Sequence, residues 1–326
     1  MSILRKESPL FVFMIIGVII PICTSNQYLL HILILIYLLA ILGASWDLIA
    51  GYGGIFSFGH QAFYAIGAYS ASILSIKYGV SSWFGLVIGG FIAMILSLMI
   101  AYPTIKLRGP YIALITLSFS LIVYELIIIF RDFTGGPSGL WGIPTFSAIK
   151  LGLIDVVFSY VERTSFYYLA LMLVATTILT LRIYSTSRYG LYIRVIKESE
   201  EAAETMGINT LKHKLLAFSI SSFFTGLAGA FYAYYVQLIT PELTWISTML
   251  DIVLATLIGG AGTIYGSLIG STVVLFLKEY LRFLGHLRLV IFGIILMMII
   301  IFTPRGLVLK VIERMRKLKG RKETVL

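Results

Sequence analysis

The sequence predicts an all-α, polytopic membrane protein, and three observations support this fold class. Hydrophobic residues make up 59% of the 326-residue chain and charged residues only 12%, which is about half the charged share of a soluble domain. Apolar runs follow one another from end to end, so no segment has the composition of a separate soluble domain. Lysines and arginines cluster at the ends of these runs. We therefore predict a single membrane-spanning domain over residues 1–326.

Ten apolar runs are candidate transmembrane helices. They cover residues 10–22, 29–46, 55–76, 83–102, 111–130, 166–181, 215–238, 247–258, 264–281 and 287–303. An α-helix rises about 1.5 Å per residue, so the shorter runs need flanking residues to cross a hydrocarbon core of roughly 30 Å. The weakest candidate is the run 247–258, whose helix would be only about 18 Å long.

The basic residues predict the orientation of the chain. The loop 182–214 and the tail 304–326 are both rich in lysine and arginine, which places both in the cytoplasm. An even number of crossings must separate two cytoplasmic segments, so the run 247–258 counts and the Gly-rich stretch 259–262 is a turn between two passes. We therefore predict about ten crossings of the cell membrane (plasma or inner), with both termini in the cytoplasm.

Several classes of function find no support in the sequence. The net charge of +10 is not accompanied by a basic helix or a module of stacking aromatic residues, so we do not expect nucleic-acid binding. Cys23 is the only cysteine, which excludes an intramolecular disulfide framework and a multi-cysteine metal site. No G-x-x-x-x-G-K-[ST] phosphate loop occurs, so the chain is not expected to hydrolyse ATP by that route. We predict no catalytic residues, no metal and no cofactor.

The longest predicted external segment, 131–165, is dense in glycine and proline over residues 134–144. This composition favours an ordered, turn-rich loop over a helix. The loop is either a simple connector or an external docking surface for a ligand carrier, with Trp141 as a candidate anchor.

The cytoplasmic loop 182–214 contains a short helix whose two ends the sequence specifies. Ser199 is a suitable N-cap, and Glu200 and Glu201 then lie in the first turn, where the helix dipole favours acidic residues. Gly207 fits the left-handed position that ends a helix. Asn209 or Thr210 then caps the next helix.

Residue spacing predicts two faces for this short helix. The predicted packing face holds Val195, Ala202, Ala203 and Met206, and the acidic strip holds Glu198, Glu201 and Glu204. Repeated glutamates would be repelled by anionic lipid headgroups, where a surface helix carries lysine or arginine. We therefore favour a protein partner over the membrane surface.

The segment 201–207 has the pattern E-A-A-x-x-x-G, and other short motifs lie along most of the chain. They are Gly51, Gly53, Gly54 and Ser57 to His60; Lys106 to Tyr111 with Ala113 and Thr116; Thr134 to Gly136; Ala217, Phe218, Gly226 and Gly229; and Gly259, Gly260, Gly262, Thr263 and Gly266. The 201–207 pattern resembles the ATPase-contacting loop of ABC importer permeases, and the ordered set resembles the branched-chain amino acid permease family, LivM type. The wider importer pattern continues with Ile-x-Leu-Pro, whereas this chain has Ala217, Ser219 and Ile220, a departure typical of the branched-chain subgroup.

The resemblance implies the permease subunit of an ATP-driven importer for branched-chain or other hydrophobic amino acids, with urea or short amides as the nearest competing substrates. It implies four kinds of partner: cytoplasmic ATP-binding subunits, a second similar permease, an extracytoplasmic substrate-binding protein and membrane lipid. It also implies that the ATPase contacts Glu200, Glu201, Ala202, Ala203, Met206 and Gly207.

Glycine-interrupted apolar segments suggest where a transport path would run, because small residues let helices approach closely or break within the membrane. The candidate path residues are Gly53, Gly54, Ser57, His60, Gly259, Gly260 and Gly262. Four ionisable residues lie near membrane depth, namely Asp47, His60, Glu125 and Asp251. An ion-coupled secondary transporter would use such groups as a proton relay. The alternatives are that they satisfy polar partners between helices, or that the chain is a scaffold that transports nothing.

The predicted topology can be tested with a reporter fused after Gly285, which follows the ninth run. The reporter is expected on the outer side of the membrane because an odd number of crossings precedes it. Activity assayed from each side of the membrane measures its position, and a cytoplasmic signal contradicts the ten-crossing arrangement.

Overall fold

The computed structural model describes residues 8–302, apart from residues 25, 106, 108, 152, 153, 160 and 286. The predicted basic tail 304–326 and the motif residues Lys106 and Arg108 lie outside the described residues. The helices are α1 Ser8–Cys23, α2 Gln27–Asp47, α3 His60–Tyr78, α4 Ser82–Thr104, α5 Pro110–Ile129, α6 Arg131–Thr134, α7 Thr164–Thr186, α8 Arg188–Glu198, α9 Glu200–Thr205, α10 Thr210–Val236, α11 Ile246–Gly259, α12 Gly266–Tyr280 and α13 Leu287–Phe302.

The predicted all-α, polytopic class is confirmed. One described helix overlaps each of the ten apolar runs. Within the described ranges, five helical spans are long and apolar enough to cross a membrane: Gln27–Tyr52, Ser82–Thr104, Pro110–Ile129, Thr164–Thr186 and Thr210–Val236. The total number of crossings and the location of the termini stay predictions.

Short strands order the Gly- and Pro-rich loop that is predicted to be external. Strand β1 Leu140–Trp141 pairs antiparallel with β4 Leu238–Ile239, and β2 Ile149–Leu151 pairs with β3 Ile154–Val156. The first pair ties the loop to the end of α10. Gly139, at φ +75°, makes this approach possible, because a Cβ there would lie 2.1 Å from the carbonyl oxygen of Ile239. The Trp141 side chain is 68% exposed, so it remains a candidate anchor.

Helix α2 forms the centre of the fold. It is apolar on all sides, as expected of a helix surrounded by protein, and residues 36–47 are all buried. Helices α7, α10, α11 and α12 pack around it. Gly43 gives α2 a close approach to α11 and α12, because a Cβ there would lie 3.1 Å from Ser267 and 3.2 Å from Thr256.

Helices α3, α4 and α10 pack closely because small residues line their contacts. A Cβ at Gly67 would lie 2.0 Å from the carbonyl oxygen of Gly226, and a Cβ at Gly229 would lie 1.9 Å from that of Tyr64. These two glycines therefore set the distance between the α3 and α10 backbones.

The predicted run 55–76 is wrong at its beginning. Helix α3 begins only at His60, and α2 instead continues as a π-helical turn, Leu48–Tyr52. Residues 53–59 are not helical. Their backbone is stabilised by other side chains: the Trp46 indole donates to the Ser57 carbonyl at 2.8 Å, and the Phe58 N–H donates to Thr116 Oγ1 at 2.9 Å. These bonds replace helical ones, as irregular backbone at membrane depth requires.

The structure suggests how a run as short as 247–258 would take part in the predicted crossing. After α10 the chain turns back, and the carbonyl oxygen of Thr244 accepts a hydrogen bond from Ser120 Oγ at 3.0 Å. Ser120 lies near the middle of the 20-residue α5, so Thr244 lies beside the middle of that helix. In the predicted topology residues 237–245 and α11 would together form one pass, and residues 259–262 follow where α11 ends.

The close packing of α3 and α10 predicts that Gly229→Val destabilises the protein, because the added side chain meets the Tyr64 backbone. Overpacking of this kind costs about 1–3 kcal/mol. The measurement is the midpoint of thermal aggregation in detergent. The matched control is Gly293→Val in α13, where a Cβ meets nothing within 4 Å; equal midpoints for the two variants contradict the packing argument.

Candidate coupling site

The loop 182–214 folds as two helices separated by a sharp break at Ser199. Ser199 is extended, with φ −158° and ψ 113°, and its Oγ accepts a hydrogen bond from the Ala202 N–H at 3.2 Å. At the other end, Gly207 has φ +77°, and the Ile208 N–H donates to the carbonyl oxygen of Ala203 at 3.0 Å. Both predicted ends of the short helix α9 are confirmed. Asn209 caps α10, and its side chain accepts from the Lys212 N–H at 2.9 Å.

Helix α9 is fixed to the beginning of α10 by polar contacts. Glu200 Oε1 and Lys214 Nζ form an ion pair at 2.6 Å, and the Lys214 side chain is only 8% exposed. Thr210 Oγ1 donates to Glu204 Oε1 at 3.0 Å. The α9 residue Ala203 is fully buried. Because removing one partner of a largely buried ion pair leaves the other charge uncompensated, α9 and the beginning of α10 are expected to move together.

The two faces predicted for the short helix are only partly right. Val195 belongs to α8, and Met206 is 71% exposed instead of packed. In the predicted acidic strip, Glu198 also belongs to α8, and Glu204 bonds to Thr210. The reason is the break at Ser199. The prediction treated these residues as parts of one helix, and the break divides them between α8 and α9. The face that α9 presents outward, here called the α9 face, consists of Glu201, Ala202, Thr205 and Met206.

Helix α8 contacts the membrane core at the π-helical turn that follows α2. Lys197 Nζ donates to the carbonyl oxygen of Gly51 at 2.8 Å. The Arg194 guanidinium lies over the Tyr52 ring, 4.8 Å from its centroid. A Cβ at Gly53 would lie 3.2 Å from the side chain of Ile193, which is fully buried. The predicted cytoplasmic loop is therefore joined to the end of α2.

A second contact joins the end of α2 to the Gly-rich turn between α11 and α12. Asp47 Oδ1 accepts a hydrogen bond from the Gly262 N–H at 2.6 Å, and the carboxylate also faces the N–H groups of Thr263 and Ile264. Gly51 leaves room for this contact, because a Cβ there would lie 2.0 Å from Asp47 Oδ1 and 2.5 Å from the Gly262 nitrogen. We call the group Asp47, Gly51, Lys197 and Gly262 the Asp47 junction.

Two clefts open beside this junction. The first, of about 420 Å³, lies between residues 53–55, the beginning of α5 and the loop, and its polar lining includes Lys197, Glu198, Ser199, Glu200, Glu201 and Lys214. The second, of about 400 Å³, is lined by Gly51, Tyr52, Arg182, Arg194, Lys197, Glu198 and Gly262.

The structure brings only some of the candidate path residues to these clefts. Gly53 and Gly54 line the first cleft and Gly262 lines the second. The remaining four, Ser57, His60, Gly259 and Gly260, are packed inside the chain. A Cβ at Gly259, for instance, would lie 1.9 Å from the carbonyl oxygen of Gly266.

Three of the four ionisable residues near membrane depth have polar partners within the chain. Asp47 accepts from Gly262, His60 Nε2 lies 2.7 Å from Ser221 Oγ, and Asp251 forms an ion pair with Lys278 at 2.5 Å. These contacts favour the interpretation that the groups satisfy partners between helices. Within the residues that the structure describes, no group of three His, Cys, Asp or Glu side chains could hold a metal ion.

The sequence did not reveal the roles of Lys197 and Lys214 or the partner of Asp47. Lys214 follows its partner Glu200 by 14 residues, and Asp47 precedes Gly262 by 215. Helical spacing carries no signal at such separations. The one available signal was the placement of Lys214 at the beginning of an apolar run, where its burial requires a counter-charge.

Comparison of the chain with known proteins finds a family model and several relatives that are all permeases of transport systems. The model of the branched-chain amino acid transport system permease component matches residues 28–303. The chain is 26% identical over 323 residues to the high-affinity branched-chain amino acid transport system permease protein LivM of Salmonella typhimurium, covering 94% of this chain and 76% of that protein. LivM of Escherichia coli gives the same values. The guanosine ABC transporter permease protein NupQ of Bacillus subtilis is 27% identical over 248 residues, covering 72% of this chain and 75% of that protein.

No solved structure matches the chain. The family model nevertheless extends from the beginning of α2 to the end of α13 and includes the loop with the Asp47 junction. The protein therefore belongs to the family of permease components of branched-chain amino acid transport systems.

Proposed function

We propose that this protein is the permease subunit of an ATP-driven importer for branched-chain or other hydrophobic amino acids. Its proposed partners are cytoplasmic ATP-binding subunits, a second permease subunit and an extracytoplasmic substrate-binding protein. The observation that carries the proposal is the α9 face: a short capped helix, fixed to α10 by the Glu200–Lys214 ion pair, presents an exposed Met206 away from the membrane core. An exposed apolar side chain beside acidic residues suits a soluble protein partner better than an anionic membrane surface.

The proposed mechanism transmits a movement of the ATP-binding subunits through α8 and α9. Those subunits contact Glu200, Glu201, Ala202, Ala203, Met206 and Gly207, of which the exposed members form the surface that is pushed. The ion pair carries the movement to α10, and Lys197 carries it to Gly51 at the end of α2. Asp47 then couples the end of α2 to the turn that begins α12. Rigid elements joined by such contacts shift as units when an interface changes.

We propose that the cytoplasmic end of the transport path passes Gly53, Gly54 and Gly262, which line the two clefts. Ser57, His60, Gly259 and Gly260 lie deeper and would act through the packing of α3, α11 and α12. Lys197 of α8 lines both clefts, and Gly51 lines the second. The second cleft would therefore widen if α8 moved away from Gly51.

The cargo is decided by uptake measurements on the reconstituted importer. Labelled leucine is expected to be taken up, and urea and guanosine are the competing cargoes; guanosine is included because a relative of similar identity is named as a guanosine permease. ATP-dependent accumulation of leucine supports the proposal. Accumulation that survives removal of the ATP-binding subunits but is lost with an ionophore supports an ion-coupled transporter instead.

One prediction concerns Gly207, whose φ of +77° a β-branched residue does not readily adopt. Gly207→Val is expected to abolish ATP-dependent uptake while leaving membrane insertion intact, because the end of α9 is distorted. The matched control is Gly79→Val, just after the last residue of α3. Gly79 has φ +65°, and a Cβ there also meets nothing within 4 Å. Equal uptake by the Gly207 and Gly79 variants contradicts a coupling role.

Glu201→Arg, on the exposed α9 face, is expected to lose ATP-dependent uptake in the same way.

A further prediction concerns Lys197. Lys197→Met keeps the aliphatic stem but removes the hydrogen bond from Nζ to the Gly51 carbonyl. A hydrogen bond from a charged donor contributes about 1.5–3 kcal/mol, so uptake is expected to fall by roughly tenfold or more while ATP hydrolysis by the assembled complex continues. Lys212→Met is the control, since Lys212 is exposed on the same loop. A parallel loss of hydrolysis and uptake would show that Lys197 supports assembly and not coupling.

A further inference from the structure

Glu125 differs from the other ionisable residues near membrane depth. Asp47, His60 and Asp251 all have polar partners inside the chain. Glu125 is exposed on α5, and within the described residues no hydrogen bond or ion pair reaches its carboxylate. The described part of the chain therefore supplies no polar partner for this carboxylate.

Glu125 lies inside the apolar length of α5 and not at its end. It lies four positions before Ile129, the last residue of the helix, a distance of about 6 Å along the axis. The exposed stripe that contains Glu125 continues with Leu121 at 59% and Ile129 at 67% exposure. A short carboxylate side chain flanked in this way faces hydrocarbon unless protein covers it, and such residues in membrane spans face other helices or water-filled cavities.

Helix α4 provides a comparison for the exposed side of α5. Like α5, it is long, apolar and only partly buried. Its exposed side is made of large apolar residues, and the helix carries no charged residue. The exposed members include Phe84, Phe91, Ile95 and Met99. The exposed side of α5 thus differs from that of α4 because it carries a charged residue.

A second observation places a break in the α-helical backbone beside the same face. A cleft of about 520 Å³ lies between α5 and the residues that begin α11, and its lining is Leu117, Ser120, Leu121, Tyr124, Thr244, Trp245, Ile246 and Ser247. The chain is not α-helical over residues 237–245, although Thr244 lies against the middle of α5. Irregular backbone at this depth occurs where protein or a water-filled cavity covers it. Trp245, 48% exposed, lies at this edge.

We propose that the exposed side of α5, together with residues 244–247, is the surface on which the second permease subunit packs, and that this subunit presents a basic or hydrogen-bond-donating side chain to Glu125. The inference rests on the proposed function, which supplies a second permease. The surface is called the α5 face below.

The test measures what covers the α5 face in the assembled importer in lipid bilayers. Cys23 is the only cysteine, so Cys23→Ser gives a background in which a spin label can be placed at Leu121 of the α5 face or at Ile95 on the exposed side of α4. Oxygen, which concentrates in lipid, is expected to relax the label at position 95 several-fold more strongly than the label at position 121. Equal relaxation at the two positions overturns the proposal, because it means that lipid covers both faces.

A second measurement tests the role of the carboxylate. In pull-down through a tag on this chain, Glu125→Leu is expected to reduce recovery of the second permease at least several-fold, whereas Glu125→Gln, which still accepts a hydrogen bond, keeps more of it. Full recovery with Glu125→Leu overturns the contact with Glu125.

ATP-driven uptake is measured on the same preparations and separates the two conclusions. Uptake together with lipid contact at position 121 means that the surface is wrong while the proposed function stands. No ATP-dependent uptake and no permease partner means that the proposed function itself fails, and this inference fails with it.

Discussion

The carboxylate of Asp47 joins segments of the chain that have left regular helical hydrogen bonding. It lies where α2 passes into a π-helical turn and accepts from the turn that precedes α12. Lys197, from the loop outside the membrane core, donates to the carbonyl oxygen of Gly51 in the same turn. An acceptor and a cation thus satisfy backbone groups that would otherwise be unpaired in an apolar environment, where each unpaired group is costly. The junction thus attaches both α8 and the turn before α12 to the end of α2.

The junction also explains why Gly51 and Gly262 lie in the gaps between predicted membrane runs. Gly51 touches both the Asp47 carboxylate and the backbone of Gly262, so no side chain fits between them. Gly262 has φ +81°, a conformation that other residues rarely adopt. These glycines permit a backbone contact, which is a role different from that of Gly67 and Gly229, where small residues allow α3 and α10 to pack closely.

The distribution of polar groups separates the interior of the chain from its interaction surfaces. Inside, polar side chains form pairs such as His60 with Ser221 and Lys214 with Glu200. At the surface, Met206 on the α9 face and Glu125 on the α5 face lack comparable cover within the described chain. One is an apolar side chain on a predicted aqueous side, and the other is a carboxylate on an apolar helix. Both are mismatched to the solvent that a single chain would meet, which is typical of surfaces that partners cover.

The sequence by itself determined the all-α class, the location of the apolar helices and both ends of α9. These depend on composition and on contacts between residues a few positions apart, such as the Ser199 cap and the left-handed Gly207. Only the tertiary structure decided that α3 begins at His60, that Val195 and Met206 do not share a packed face, and which polar groups pair. Those outcomes depend on contacts such as Trp46 with Ser57, Glu200 with Lys214 and Asp47 with Gly262. Side chains that meet only after the helices pack have no fixed spacing in sequence, so periodicity cannot reveal them.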